Sequence, residues 1–128
     1  MHSGTTLNRD LKRDPRRGDI LRVRLNPIEG SEQGGERPVL VLSPDLINEY
    51  STVILIAALT SKKTDRIYPF EALIEPPDGG LSQPFKVMLL HLRSIVKRRI
   101  TGYYGQVSDE AMSRVDEALK IAVGLTDV

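Results

Sequence analysis

The chain has 128 residues, an apolar share of 40%, a charged share of 27% and a formal net charge of +1, a balance that suits one domain with one core. It has no cysteine, which excludes disulfide staples and cysteine-based metal sites. No apolar run approaches the ~20 residues of a membrane helix, and the polar start MHSGTTLNRDLKRDPRRGD lacks a signal peptide's apolar centre, so a cytoplasmic protein is the expectation.

Residues 1–15 read as a loose tail closed by Pro15, with a single domain from 16 to 126. From Ile20 to Leu25 apolar residues (Leu21, Val23, Leu25) alternate with Arg22 and Arg24, the pattern of a half-exposed strand. The stretch GSEQGGERP follows, and then the apolar run Val39–Leu42, a buried strand. Ser43-Pro44-Asp45 reads as a short helix start, with Ser43 as cap and Pro44 in the first turn. Thr52 to Leu59 is the most apolar segment and the expected central strand. Tyr68 to Glu75 alternates weakly before the turn cluster Pro76-Pro77-Asp78-Gly79-Gly80. Phe85 to Leu92 predicts a strand, with a bend over Leu92–Ile95, and Thr101 to Val107 predicts another. Ser108 then caps a helix on which Met112, Val115, Leu119, Ala122 and Val123 recur at three- and four-residue steps. These elements predict a mainly β fold, a small barrel with helices at its edges.

Charge is uneven along the chain. Five bases and no acid lie between Lys86 and Ile100, six bases and three acids between Asp10 and Arg24, and four acids against Arg114 alone between Ser108 and Glu117. That pattern is compatible with a polarised binding surface or with ordinary solvated charge.

The glycines at 30, 34 and 35 let a backbone approach a ligand closely, and Pro38 biases Arg37 to an extended backbone. A guanidinium aimed from the start of a buried strand matches a phosphate in shape and charge. Equally, Arg37 can pair with Glu32 or Glu36 across a plain hairpin loop. Thr60 and Ser61 close the most apolar strand, where hydroxyls can hold a phosphate or simply mark a strand exit. His91 is the only histidine outside the tail, which excludes a histidine-rich metal site or a paired-histidine nuclease centre, and no GxSxG elbow is present.

The run RRGDILRVRLNPIEGSEQGGERPVLVLSPDLIN resembles the opening of MazF/PemK-type toxin ribonucleases. LTSK (59–62), YPFE (68–71), LRSIVKRR (92–99) and DEAMSRVDEAL (109–119) follow in the family's order, so that the resemblance covers residues 16–124. It implies an SH3-like small barrel of the MazF/CcdB type with a C-terminal helix, assembled as a homodimer. It implies cleavage of single-stranded mRNA at short sequences without a metal or other cofactor, and inhibition by a cognate antitoxin. Arg37 and Thr60 take the family's catalytic positions; Ser31, Glu32, Gln33 and Ser61 take RNA-contact positions. His91 stands where the family usually carries glutamine, so an RNA contact or auxiliary acid is expected there. Arg22 and Arg24 stand where many relatives carry aspartate. Tyr68, Phe70 and Tyr103 offer stacking faces or belong to the core. The alternatives are a non-enzymatic CcdB-like toxin that poisons a topoisomerase, and a plain SH3-like binding module, which the low aromatic share of 5% disfavours.

Overall fold

The computed structural model describes residues 13–25 and 35–127. Six strands, β1 (Asp19–Arg24), β2 (Glu36–Val41), β3 (Val53–Thr60), β4 (Glu71–Ile74), β5 (Phe85–Val96) and β6 (Ile100–Gln106), form one sheet in the order β4-β5-β3-β2-β1-β6. All neighbours are antiparallel. The sheet curls into a half-barrel, with helix α1 (Asp45–Tyr50) between β2 and β3 and helix α2 (Asp109–Ala122) at the C-terminal end.

Both faces of the sheet are apolar, which is why the central strands read as unbroken hydrophobic runs. One layer joins Ile20, Leu40, Ala57, Leu59, Val87 and Leu89 to Ala111, Val115 and Ala118 of α2. The opposite layer joins Leu21, Val23, Val39, Val41, Ile54, Ile56 and Ile95. Alternation along each strand assigns each residue to its layer. Ser108 caps α2 by accepting from the Ala111 amide at 3.2 Å, and Asp109 and Glu110 occupy the first turn.

Three expectations shift. Helix α1 is capped one residue later than predicted: Pro44 is at the N-cap, with no side-chain bond. Ser43 is buried and uses its hydroxyl to accept from the Leu55 amide at 3.0 Å and to bond Asn48. The weak alternation of 68–75 yields a strand only from Glu71. The bend expected over Leu92–Ile95 lies earlier, because β5 runs on to Val96. There Ala57 faces Leu92 while its neighbour Ala58 faces Met88, so residues 89–91 have no counterpart on β3.

That excursion separates three leucines of similar appearance in sequence. Leu89 is fully buried and Leu90 is 60% exposed, while Leu92 packs partly against the α2-side layer. Leu89→Ala is expected to cost about 2–5 kcal/mol, read as a lowered denaturation midpoint with unchanged slope. The turn Asp78–Gly80 seats against β6 because it carries glycine: a Cβ on Gly79 (φ +67) would meet Ile20, and one on Gly80 (φ +76) would meet the Tyr104 carbonyl.

Candidate active site

Arg37 lies early in β2 and faces Val23 of β1. The β2–β3 register pairs Val41 with Ile56, Leu40 with Ala57 and Val39 with Ala58. Continued along the two strands, that register sets Arg37 across from Thr60. Alternation gives the same answer, since Arg37 shares a face with Val39 and Val41, and Thr60 with Ile54 and Ile56. Arg37 and Thr60 therefore project from the same face of the sheet where the apolar layer ends. Arg37 is exposed and Thr60 half-buried.

Thr60 is already oriented. Its Oγ1 accepts from the Lys62 amide at 3.1 Å, which leaves the hydroxyl proton free to be donated. Ser61 follows it, exposed, at the strand exit. On its other side Thr60 faces Lys86 of β5. Directly opposed residues of an antiparallel pair project to the same face, so Lys86 joins the Thr60 side. Lys86 is 5% exposed; it bonds Glu71 at 2.9 Å and donates to the Arg66 carbonyl at 3.0 Å. Beside it opens a cavity of about 290 Å³ lined by Lys63, Asp65, Arg66, Tyr68 and Lys86.

His91 is exposed on the β5 excursion. Its backbone is level with Ala57 and Ala58, roughly 8–10 Å from that of Thr60, given ~3.3 Å per residue and ~4.8 Å between strands. Ser31, Glu32 and Gln33 lie outside the described residues. Among the described residues no three histidine, aspartate or glutamate side chains converge as a ligand set.

Much of the local positive charge is compensated. Glu36 accepts from Arg22 at 3.3 Å and from Arg24 at 3.4 Å, and Arg22 also donates to the Tyr104 hydroxyl at 3.0 Å. That Tyr104 bond, opposed by partial burial and aided by Glu36, holds Arg22 more firmly protonated than a free guanidinium. Lys97 bonds Asp14 at 3.2 Å and the Asn48 carbonyl at 2.7 Å. The basic run 86–100 is thus no continuous patch: Arg93 and Arg98 face solvent while Lys86 is buried. Sequence reading counted Lys86 among the bases but missed its position; the signal was its place at the start of a strand that must pair with the Thr60 strand.

The sequence matches the family described as PemK-like, MazF-like toxin of type II toxin-antitoxin system over residues 16–123. The chain belongs to this family. Among relatives of this MazF-like toxin is "Endoribonuclease EndoA" of Bacillus subtilis (strain 168), 38% identical over 112 residues, 88% of this chain and 97% of the relative. The crystal structure of MazF (Form-I) from Deinococcus radiodurans is similar with a TM-score of 0.70 at 28% identity, covering 87% of this chain and 97% of that one. A MazE-MazF structure (Form-III) from the same organism gives 0.69 at 27% identity, covering 88% and 98%. The mainly β half-barrel with its C-terminal helix is thus the fold of MazF toxins.

Proposed function

We propose that this MazF-like endoribonuclease toxin cuts single-stranded mRNA by attack of a ribose 2′-hydroxyl on the adjacent phosphorus, at Arg37 and Thr60, and so stops translation. The 2′-O–P bond forms as the P–O5′ bond breaks. The 2′ proton passes to solvent and the departing 5′ oxygen takes one up, which gives a 2′,3′-cyclic phosphate and a 5′-hydroxyl. The reading is supported by the β2–β3 register, which, continued two residues, puts Arg37 and Thr60 on one face. Negative charge grows on the phosphoryl oxygens during the displacement, and a fixed cationic donor stabilises it. Arg37 supplies that donor and stays charged throughout, so it is not the proton carrier. Thr60, anchored through Lys62, donates to a phosphoryl oxygen and holds the phosphorus in line. No step is routed through a metal ion.

The test is incubation with mixed single-stranded RNA in EDTA and chemical identification of the new ends. Discrete fragments ending in cyclic phosphate and 5′-hydroxyl are expected. Intact RNA returns the chain to the non-enzymatic reading.

His91, exposed on the β5 excursion, serves as an auxiliary acid toward the departing oxygen on this reading. His91→Gln is expected to lower kcat. An unchanged rate removes that role.

Ser31, Glu32, Gln33 and Ser61 contact the RNA on this reading, and a cognate antitoxin covers the same groove in the cytoplasm. The active form is a homodimer. Support for it comes from α1, which touches β3 and leaves Leu46 70% and Tyr50 77% exposed beside Ile47, Val53 and Leu55. The apolar run Leu89, Leu90 and Leu92 near the groove, another candidate from sequence, contributes less: Leu89 is buried in the core, and Leu90 is the one that is 60% exposed.

A further inference from the structure

The cavity beyond Thr60 is built rather than incidental. Its floor is the Lys86 ammonium, fixed by Glu71 and the Arg66 carbonyl. Its wall is Tyr68, stacked on Phe70 with centroids 5.5 Å apart and planes within 4°. The ammonium lies 5.8 Å from the Tyr68 ring centroid, and Arg66 donates to the Tyr68 hydroxyl at 3.4 Å. Tyr68 still exposes 43% of its surface, so ring area remains for a ligand. At the rim, Lys63 adopts a left-handed backbone (φ +56), a conformation a non-glycine residue holds at a cost. The Asp65 carboxylate lines the same cavity, and among the described residues it makes no ion pair or side-chain hydrogen bond.

The volume of about 290 Å³ is at the small end of ligand sites, with room for one nucleobase. Aromatic surface with cations at floor and rim is what a base with its flanking phosphate requires. The step from Thr60 to Lys86 is one strand spacing, about 4.8 Å, so a nucleotide whose phosphate is held at Thr60 reaches the cavity with its base. We propose that this cavity seats the base next to the scissile phosphate, and that Asp65 selects it by accepting from an exocyclic amine. A carboxylate only accepts. Cytosine, adenine and guanine each present an amino donor, as when aspartate accepts from cytosine N4. Uracil presents carbonyl oxygens there, and two acceptors repel. Asp65 is thus a specificity-determining residue, on the reading that Arg37 and Thr60 hold the phosphate.

The experiment uses the full chain carrying Arg37→Ala, so that bound RNA is not consumed, with a randomised single-stranded RNA pool and sequencing of the bound fraction. Uracil is expected to be depleted about tenfold at one position, and the depletion should vanish when Asp65→Ala is added. Tyr68→Ala should weaken RNA binding about tenfold or more, while Tyr68→Phe retains it. The same base preference with and without Asp65, or no loss with Tyr68→Ala, overturns the proposal, as does failure to bind RNA. Cutting of the pool by Arg37→Ala instead overturns the role of Arg37, and leaves the base preference readable in the bound fraction.

Discussion

Replacing Arg37 with alanine is expected to slow RNA cleavage by about 10²–10³-fold, the loss of about 3–4 kcal/mol that follows removal of one preorganised donor to a developing oxyanion. The fall should appear in kcat under single-turnover conditions, because the interaction strengthens as charge develops. Stability should hardly change. Arg37 is exposed, and its backbone is fixed by pairing with Val23 whatever the side chain. Arg37→Lys should recover only part of the rate, since a point charge lacks the planar fork that meets two phosphoryl oxygens. Equal thermal midpoints with a large rate difference separate a catalytic effect from unfolding.

A large effect on stability is also expected away from the site, at Asp19. Its carboxylate is fully buried and accepts from Arg13 Nη1 at 2.9 Å and Nη2 at 3.1 Å, from the Arg16 amide at 2.7 Å and from Gln106 at 3.0 Å. The Asp19 hydrogen bond, against the opposing effect of burial, holds Arg13 more firmly protonated than a free guanidinium. Asp19→Ala leaves the amide and the Gln106 side chain without their acceptor, and an arginine without its partner. Breaking a buried pair from one side costs ~3–5 kcal/mol. Arg13 is 32% exposed and regains water, so about 3 kcal/mol is expected here. Urea denaturation reads it directly, and a loss under 1 kcal/mol would show that the cluster is dispensable.

Asp19 also shows where sequence reading stops. The RGD stretch was legible as a motif, but its work is structural. Gly18 adopts φ +93. Arg17 pairs with Asp116 of α2 at 2.7 Å and donates from Nε to the Leu42 carbonyl at 2.8 Å. Arg13, assigned to the tail by composition, is held by Asp19 and lies over the Tyr103 ring at 5.3 Å. No local pattern announces a contact 99 residues away. The strands were legible where both sheet faces are apolar, as in Val39–Leu42 and Thr52–Leu59. Helix α2 was legible because its apolar period and Ser108 cap agree. The β5 excursion was hidden because Leu89, Leu90 and Leu92 look alike until β3 supplies a register. The candidate pair Arg37 and Thr60 was named through resemblance, and their adjacency is a property of pairing that a single strand cannot reveal.

In the proposed reaction Arg37 and Thr60 act on one phosphoryl group. A double-mutant cycle on single-turnover cleavage tests it, with Arg37→Ala, Thr60→Val and the pair compared on one RNA. If both hold the same transition state, the losses are strongly non-additive, and the double variant is little slower than Arg37→Ala alone. Fully additive losses, or a Thr60→Val variant that cuts at the unaltered rate, would show that the two residues do not share one phosphoryl group.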